Sequence, residues 1–273
     1  MNKRFLLEQY LQNLGPIAIA VSGGVDSMTL AVIANRVNAE THMFHAISPA
    51  VPSQATDRVK RYAISEKWNL NVLDAGEIRN SEYLSNPVNR CYFCKTHLYE
   101  ALGSRTDFQL LSGTNLDDLG DYRPGLIAAS QNNVLHPYVE VNISKAELRS
   151  FAKELNLLDL HDLPAAPCLS SRIETGIAIN ADLLPLINQA EQLIWEKIES
   201  SFALTGVRCR QRQGGLVIEL ESKSHIDTQA KYAKDCIKIA SEVFSDFNHL
   251  TNNIKVEPYK RGSAFLIEAI ELG

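Results

Sequence analysis

Ser22-Gly23-Gly24-Val25-Asp26-Ser27 is the stretch from which the organisation of this chain can be read. Residues 16–21 before it are short, apolar and β-leaning, and residues 28–34 after it are apolar and long enough to begin a helix. The order is therefore strand, tight glycine turn, helix. Two glycines let several backbone N–H groups point at one spot, and the helix adds its positive end. The stretch predicts a cradle for a phosphate or pyrophosphate, to which Ser22 and Ser27 add hydroxyls.

The spacing of this loop differs from the G-x-x-x-x-G-K-[ST] and G-x-G-x-x-G phosphate loops. It resembles the PP-loop, S-G-G-x-D-S, of the ATP pyrophosphatases, and all six positions match. The resemblance implies cleavage of ATP between its α- and β-phosphates and activation of a substrate as its adenylate. It also implies that Ser22, Gly23, Gly24, Asp26 and Ser27 bind ATP. The alternative is a plain glycine turn between a strand and a helix.

Length and composition set limits on the class of protein. A chain of 273 residues allows one large domain or two ordinary ones, and 45% hydrophobic residues suit a soluble globular protein. The net charge of −5 gives no support for nucleic-acid binding. No apolar run is long enough to span a bilayer. The start of the chain reads as an amphipathic helix, not a signal peptide, and the five cysteines are an odd number, so we expect a cytoplasmic protein without a disulfide framework.

Strand-like and helix-like stretches alternate through the first part of the chain. After the first strand, further strands are predicted at residues 41–47, 70–74 and 108–112, with a short fifth at 134–137. This alternation predicts an α/β fold with a doubly wound parallel sheet over residues 1–172, similar to the adenine nucleotide alpha hydrolase fold. Ligands of such sheets lie outside the carboxyl ends of the strands. Gly113 and Asn115 follow the fourth strand, so they join the predicted ATP-binding residues.

The pattern changes in the second part of the chain, where residues 173–273 predict a smaller α+β domain. Two short β-leaning runs, 207–211 and 216–220, flank Gly214-Gly215 and predict a hairpin. Helices are predicted at 180–201 and 228–244, and extended segments at 256–272.

Three cysteines occupy motif-like settings. Cys91 and Cys94 lie three residues apart, so that on a helix or turn their sulfurs face one way. Cys168 follows later, in Pro167-Cys168-Leu169-Ser170-Ser171-Arg172. Three thiolates suit a [4Fe-4S] cluster whose fourth iron is open and can hold an extra sulfide.

Two other interpretations of these cysteines stay open. A structural zinc site requires four ligands, and the fourth would have to be a histidine such as His97 or His161. Cys91 and Cys94 can also be ordinary buried thiols. The flanking Arg90 and Lys95 favour lowered thiol pKa values.

The whole chain resembles the LarE family, the ATP-dependent sulfur transferases of nickel-pincer cofactor synthesis. Seven stretches carry the resemblance: residues 22–27, 86–95, 113–125, 144–149, 164–172, 207–210 and 259–263. It implies adenylation of a carboxylate of pyridinium-3,5-biscarboxylic acid mononucleotide, followed by replacement of AMP with sulfur. In one branch a single cysteine, matching Cys168, gives up its sulfur and becomes dehydroalanine. In another branch three cysteines, matching Cys91, Cys94 and Cys168, hold a [4Fe-4S] cluster, and this chain has all three.

Carboxylates near the fourth strand are candidates for a magnesium site. ATP used in this way requires Mg²⁺, which takes one or two carboxylates plus phosphates. Asp26, Asp118 and Asp121 are the candidates. Helix capping by Asn115 or Asp117 explains the same acidic turn equally well.

Three arginines are candidates for holding the phosphate of the substrate. Arg172, Arg208 and Arg210 could clamp it bidentately, and Arg208 and Arg210, two apart on a strand, share one face. Without the resemblance, two arginines in this spacing would indicate a solvent-exposed face of a strand. The resemblance favours binding of the substrate phosphate instead. Cys209 and the following Gln211-Arg212-Gln213 depart from the family pattern and leave the substrate's identity open.

We therefore expect an AMP- and pyrophosphate-forming sulfur transferase in which Cys91, Cys94, Cys168 and Asp26 are catalytic. The expected cofactors and partners are ATP, Mg²⁺, a [4Fe-4S] cluster and a small nucleotide substrate, with no nucleic acid or membrane. We also expect a homo-oligomer, with residues 173–273 as the substrate-binding and oligomerisation domain. The alternatives are another PP-loop synthetase, such as a tRNA thiolase or an amidotransferase-type enzyme, and a regulator that binds nucleotide or iron–sulfur without turnover.

Overall fold

A computed structural model describes residues 2–120, 123–164, 167–199, 204–222 and 228–266, without the side chains of residues 199 and 228–230. The chain divides into two compact units. The first consists of Met1–Tyr83 and Asn89–Ala166, and the second of Leu84–Val88 and Pro167–Gly273. The chain therefore enters the second unit for five residues, returns to the first, and enters the second again.

Four parallel strands form the sheet of the first unit. In chain order they are β1 Ile17–Ala20, β2 Thr41–Ala46, β3 Asn69–Leu73 and β4 Gln109–Leu111. Their order in the sheet is β3-β2-β1-β4, with Ile17 opposite Thr41 on one side and Gln109 on the other. The order reverses at β1, so the carboxyl ends of β1 and β4 flank the crevice where such sheets bind ligands.

Eight α-helices accompany this sheet among the described residues of the chain up to Glu154. They are α1 Lys3–Gln12, α2 Val25–Val37, α3 Ser53–Ser65, α4 Ser81–Leu84, α5 Arg90–Gly103, α6 Gly125–Gln131, α7 Pro137–Glu140 and α8 Lys145–Glu154. Single turns of 3-10 helix lie at Glu77–Arg79 and Leu116–Gly120.

Helices cover both faces of the sheet, as the alternation of side chains on β1 shows. Ile17 and Ile19 are fully buried in one core with residues of α1, α2 and α8, whereas Ala18 lies in another core with residues of α5 and α6. Because successive strand residues point to opposite faces, this division places a helical layer on each side. The predicted doubly wound parallel α/β fold is confirmed.

The predicted fifth strand is not a strand. Leu135 makes only an isolated parallel bridge to Leu111, and Pro137 is the first residue of α7. Proline lacks the N–H that a strand ladder requires and suits the first turn of a helix, so the apolar run 134–137 ends in a helix.

The second unit is built on a mixed sheet of three strands. These are β5 Leu204–Arg212, β6 Gly215–Ser222 and β7 Ile254–Pro258; β5 and β6 are antiparallel, and β6 and β7 are parallel. The predicted hairpin closes with Arg212 opposite Gly215, whose φ of +123° only glycine adopts readily. The helices are α9 Leu183–Glu199, α10 Thr228–Val243 and α11 Asn248–Thr251, with a 3-10 turn at Leu169–Arg172. The predicted smaller α+β fold is confirmed.

Asn86 fixes the five-residue excursion of the chain into the second unit. Its side chain is fully buried, and its Nδ2 donates to the carbonyl oxygens of Glu174 and Ile177 at 2.9 Å and of Ile173 at 3.4 Å. The N–H of Gly176 donates back to the Asn86 carbonyl at 3.0 Å. A buried amide with these partners holds the segment in one place.

Across the described ranges, no helix combines the length and apolar character required to cross a membrane.

Candidate functional site

The glycine loop lies at the carboxyl end of β1, where the sheet order reverses. Gly23 has φ +79°, and a Cβ there would lie 2.6 Å from the carbonyl oxygen of Ala55, so only glycine fits. Ser27 Oγ accepts from the N–H of Ser22 at 3.0 Å and lies 3.1 Å from Ser22 Oγ. It also lies 3.3 Å from the Gly24 carbonyl. The two hydroxyls predicted to face ATP therefore also fix the shape of the loop.

Helix α3 and strand β2 support the loop from the side. Arg58 Nη1 donates to the Gly23 carbonyl at 2.8 Å. His45 Nδ1 lies 2.8 Å from the Val21 carbonyl, so it carries the proton there, and His45 Nε2 accepts from the Thr56 hydroxyl at 2.9 Å. Burial lowers the pKa of His45 and keeps the ring neutral. These contacts hold the backbone of the loop in place.

The segment after β4 packs directly against the start of α2. A Cβ on Gly113 would lie 2.7 Å from the backbone nitrogen of Ser27, so the two backbones approach as closely as glycine allows. Asn115 Nδ2 donates to Asp26 Oδ1 at 3.3 Å. The structure therefore brings both residues predicted from the fourth strand end, Gly113 and Asn115, to the glycine loop.

Lys145 completes this group, and the sequence reasoning missed it. Its Nζ lies 2.5 Å from Asp26 Oδ1 and also contacts Oδ2. Lys145 is the first residue of α8. A capping box formed by Ser144 and Glu147 stabilises the start of this helix. The S-x-x-E spacing could have placed Lys145 in a first helical turn, but nothing in the sequence says which side chain it meets.

Opposing effects act on the ionisation of the Asp26 carboxyl group. Burial raises the pKa of Asp26, and the hydrogen bond and charge of Lys145 act against that rise. The charge of Asp118 raises the pKa of Asp26 further. Asn115 links the two carboxylates, because its Nδ2 donates to Asp26 and its backbone N–H to Asp118. The hydroxyl of Tyr138, a second residue that the sequence did not point to, donates to the Asp26 carbonyl at 3.1 Å.

The acidic turn after β4 shows capping contacts and carboxylates together. Asp117 N–H donates to Asn115 Oδ1 at 3.0 Å, and Asn115 N–H donates to Asp118 Oδ2 at 3.1 Å. Arg123 pairs with Asp118 Oδ1 at 2.8 Å. Asp121 lies outside the described residues. The predicted magnesium role of Asp26 and Asp118 stays a prediction.

The five cysteines fall into two groups by exposure. Cys91 and Cys94 lie in the first turns of α5 in the first unit, exposed and half-buried, and Cys168 is half-buried in the second unit. Cys209 and Cys236 are buried, and burial raises the pKa of both thiols, that of Cys236 to about 12. Thiolates are suitable donors for an iron–sulfur cluster, but the described residues contain no group of three metal-ligating side chains, and the predicted [4Fe-4S] ligation stays a prediction.

The predicted phosphate-binding arginines are tied to other groups in the second unit. Arg172 is buried and makes a bidentate ion pair with Glu191 at 2.9 Å for both contacts, while its Nη1 donates to the Pro167 carbonyl at 2.9 Å. Burial alone lowers the pKa of Arg172, but Glu191 outweighs it and the pKa is raised. Arg172 thereby fixes the turn that follows Cys168. Its predicted role in binding phosphate stays a prediction.

Arg208 and Arg210 differ in their surroundings. Arg210 is buried, bonded to Glu219 Oε2 at 2.7 Å and to the Ser171 carbonyl at 3.1 Å. Arg208 is half-buried, with Nη1 donating to the Val207 carbonyl at 2.7 Å. Burial, with repulsion from Arg172, lowers the pKa of Arg208. Their predicted phosphate role also stays a prediction.

Comparison with known proteins gives relatives along most of the chain. No family model matches. An uncharacterised protein of Synechocystis is 31% identical over 268 residues, 94% of each chain, and an uncharacterised protein of Methanocaldococcus jannaschii is 28% identical over 248 residues, 89% of this chain and 90% of the relative.

A third relative has an assigned activity. Pyridinium-3,5-bisthiocarboxylic acid mononucleotide synthase of Lactiplantibacillus plantarum is 25% identical over 224 residues, 80% of this chain and 79% of the relative. With the glycine loop at the end of β1, the parallel α/β sheet and the smaller α+β unit, these relatives show that the chain belongs to the LarE family.

Proposed function

We propose that this protein is an ATP-dependent sulfur transferase of nickel-pincer cofactor synthesis. It adenylates a carboxylate of pyridinium-3,5-biscarboxylic acid mononucleotide and replaces AMP with sulfur. The observation that carries the proposal is the preformed glycine loop, with Gly113, Asn115 and Lys145 around Asp26. The synthase among the relatives supports the choice of substrate and reaction.

The first step uses the groups of the first unit. The N–H groups of the loop and the start of α2 bind the phosphates of ATP, and Lys145 adds a positive charge beside them. A substrate carboxylate oxygen attacks the α-phosphorus, and the bond from that phosphorus to the pyrophosphate oxygen breaks. Asp26 and Asp118 would hold Mg²⁺, which when bound neutralises charge on the phosphates. The protein contributes mainly position and charge.

The second step uses Cys168. Its thiolate attacks the acyl carbon of the adenylate, and AMP leaves with the electron pair of the broken C–O bond. Removal of the Cα proton of Cys168 then breaks its Cβ–S bond, which gives a thiocarboxylate and leaves dehydroalanine. In the alternative branch Cys91, Cys94 and Cys168 would hold a [4Fe-4S] cluster, which when bound supplies an iron open to sulfide.

The test combines products with variants. Protein purified without oxygen is incubated with ATP, Mg²⁺ and the dicarboxylate mononucleotide, and AMP, pyrophosphate and the mass of the acceptor are measured. We expect equal amounts of AMP and pyrophosphate and an acceptor in which sulfur replaces oxygen. Cys168→Ala should retain pyrophosphate release and lose sulfur transfer, and Asp26→Ala should lose both while remaining folded.

Four outcomes count against the proposal. Wild-type rates of pyrophosphate release in Asp26→Ala would remove the role of the loop. Sulfur transfer retained in Cys168→Ala would remove both sulfur branches. Release of pyrophosphate with tRNA alone would favour a tRNA thiolase over the proposed function. No release of pyrophosphate with any carboxylate would favour a binding protein without turnover.

A further inference from the structure

Helix α8 contacts two separate parts of the first unit through side chains one turn apart. Lys145, in its first turn, contacts Asp26 at the glycine loop. Arg149, four residues later and therefore on the same side of the helix, donates from Nη2 to the Leu163 carbonyl at 2.7 Å and from Nη1 to the His161 carbonyl. One helix thus contacts both the glycine loop and the segment of chain that follows α8.

Residues 157–163 form a turn after α8 (the 157–163 turn). Leu157 and Leu160 are buried in the same core as residues of α8. The N–H of Leu160 donates to the Leu157 carbonyl, and the N–H of Leu163 to the Leu160 carbonyl, both at 3.0 Å. Buried apolar side chains therefore hold the body of the turn, and the two charge-assisted hydrogen bonds of Arg149 hold the carbonyls at its end.

Helix α3 makes a second pair of such contacts. Arg58 Nη1 donates to the Gly23 carbonyl in the glycine loop at 2.8 Å. Four residues later, the Tyr62 hydroxyl donates to Asp159 Oδ1 in the 157–163 turn at 2.5 Å. Burial, together with the hydrogen bond to Asp159, raises the pKa of Tyr62, so the phenol keeps its proton and remains a donor. Two helices therefore tie this turn to the glycine loop.

The covalent chain continues from this turn to Cys168. Cys168 is the fifth residue after Leu163, and five residues span at most about 18 Å. A fixed Leu163 limits the volume that Cys168 can reach, whereas a mobile Leu163 would let Cys168 sample more positions. A nucleophile reacts faster when it is held near its acceptor. The 157–163 turn can therefore affect the second step of the proposed reaction without taking part in the first.

We propose that Arg149, supported by Tyr62, is a positioning residue for sulfur transfer: it holds the 157–163 turn and thereby directs Cys168 to the acyl-adenylate. The inference rests on the proposed function and adds to it a residue that acts through Cys168. Without these hydrogen bonds the adenylate still forms, but water competes with Cys168 for it. Water adds to the acyl carbon and loses a proton, and AMP leaves with the electron pair of the broken C–O bond. Pyrophosphate is then produced with no sulfur transferred.

The test measures how many sulfur atoms are transferred for each pyrophosphate released. Protein purified without oxygen is incubated with Mg²⁺, the dicarboxylate mononucleotide and less than one equivalent of ATP, and pyrophosphate and the mass of the acceptor are quantified. We expect a ratio of about one in the wild type. Arg149→Met should lower this ratio about tenfold and leave the rate of pyrophosphate release unchanged, since a misplacement of about 1 Å can cost a reaction about 10²-fold.

Three further variants sharpen the test. Arg149→Lys should recover part of the ratio, because an ammonium can donate to the same carbonyls but lacks the planar fork of a guanidinium. Tyr62→Phe keeps the ring and removes only the hydroxyl, and it should lower the ratio by less than Arg149→Met does. Lys153→Met is the matched control, because Lys153 is an exposed cation one turn further along α8. It should keep the wild-type ratio.

Four outcomes would overturn the proposal. The first is a wild-type ratio in folded Arg149→Met. The second is an equal loss of pyrophosphate release and sulfur transfer in that variant, which is the result expected of a merely structural role. The third is a drop in Lys153→Met as large as that in Arg149→Met. If Arg149→Met does not fold, Tyr62→Phe decides, and an unchanged ratio in Tyr62→Phe is the fourth.

Hydroxylamine separates failure of this inference from failure of the proposed function. It attacks the acyl carbon of the adenylate and releases AMP, so the hydroxamate reports the first step without Cys168. Hydroxamate formed by Arg149→Met at the wild-type rate, with sulfur transfer lowered, would support both. A wild-type protein that forms neither hydroxamate nor pyrophosphate would remove the proposed function and the inference with it. A wild-type protein that performs both steps, with variants that keep its ratio, would remove the inference alone.

Discussion

Gly113→Ala tests the close approach between the end of β4 and the start of α2. The added Cβ would lie 2.7 Å from the Ser27 nitrogen and 2.9 Å from both the Asp26 carbonyl carbon and the Ser27 Cα. Ordinary contacts begin at 3.4 Å, so one backbone must move by 3.4 − 2.7, about 0.7 Å. All three neighbours are backbone atoms, and no flexible side chain can give way.

The expected cost is that of overpacking a rigid interior, about 1–3 kcal/mol in the free energy of unfolding. In a chain of this size each kcal/mol lowers the melting temperature by about 2–4 °C. Because the displaced atoms begin α2, we also expect weaker ATP binding than the loss of stability alone would produce.

The assay is urea and thermal unfolding followed by circular dichroism, with ATP affinity measured on the folded variant. Gly103→Ala is the matched control, since Gly103 ends α5 and a Cβ there meets nothing within 4 Å. It should be neutral or stabilising, because alanine is the better helix former. Wild-type stability and ATP affinity in Gly113→Ala would refute the close approach on which the site is built.

Three further variants or measurements address other parts of the site. Lys145→Met should raise the pKa of Asp26 further, since it removes the cation that opposes burial; an NMR titration of the Asp26 carboxyl checks this, and an unchanged pKa would contradict the ion pair. Asn86→Ala should lower the stability of the second unit by about 1–3 kcal/mol, because buried carbonyls lose their donor; unchanged urea unfolding would argue against these bonds. In native protein iodoacetamide should label Cys91 and spare Cys209, whose thiol pKa is raised by burial; equal labelling by mass spectrometry would contradict the structure.

Local patterns were sufficient to predict the sheet and the position of the loop. The apolar runs, the glycine pair and the rule that ligands meet parallel strands at their carboxyl ends placed residues 22–27 beside Gly113 and Asn115. The prediction of a strand at 134–137 was wrong because it relied on apolar character and did not take into account that Pro137 has no N–H for a strand ladder.

Long-range side-chain partners could not be predicted from patterns. Lys145 meets Asp26 across 119 residues, and Arg172 meets Glu191 across the turn after Cys168. The spacing of charged residues along the chain predicts neither pair, because it depends on the tertiary fold which charged side chains come into contact. The face shared by Arg208 and Arg210 was foreseeable, whereas the carboxylate of Glu219 that occupies Arg210 was not.

The excursion of Leu84–Val88 limits how this protein can be divided. A truncation that ends at residue 166 would keep Asn86 and discard the carbonyls to which it donates. A fragment that begins at residue 167 would keep those carbonyls and lack the amide. No single division of the chain therefore yields two fragments that both retain these hydrogen bonds. A chimaera that joins two relatives at residue 166 would likewise take Asn86 and its partner carbonyls from different proteins. A C-terminal fragment would require residues 84–88 as well. They could be added as a separate peptide or joined covalently by circular permutation.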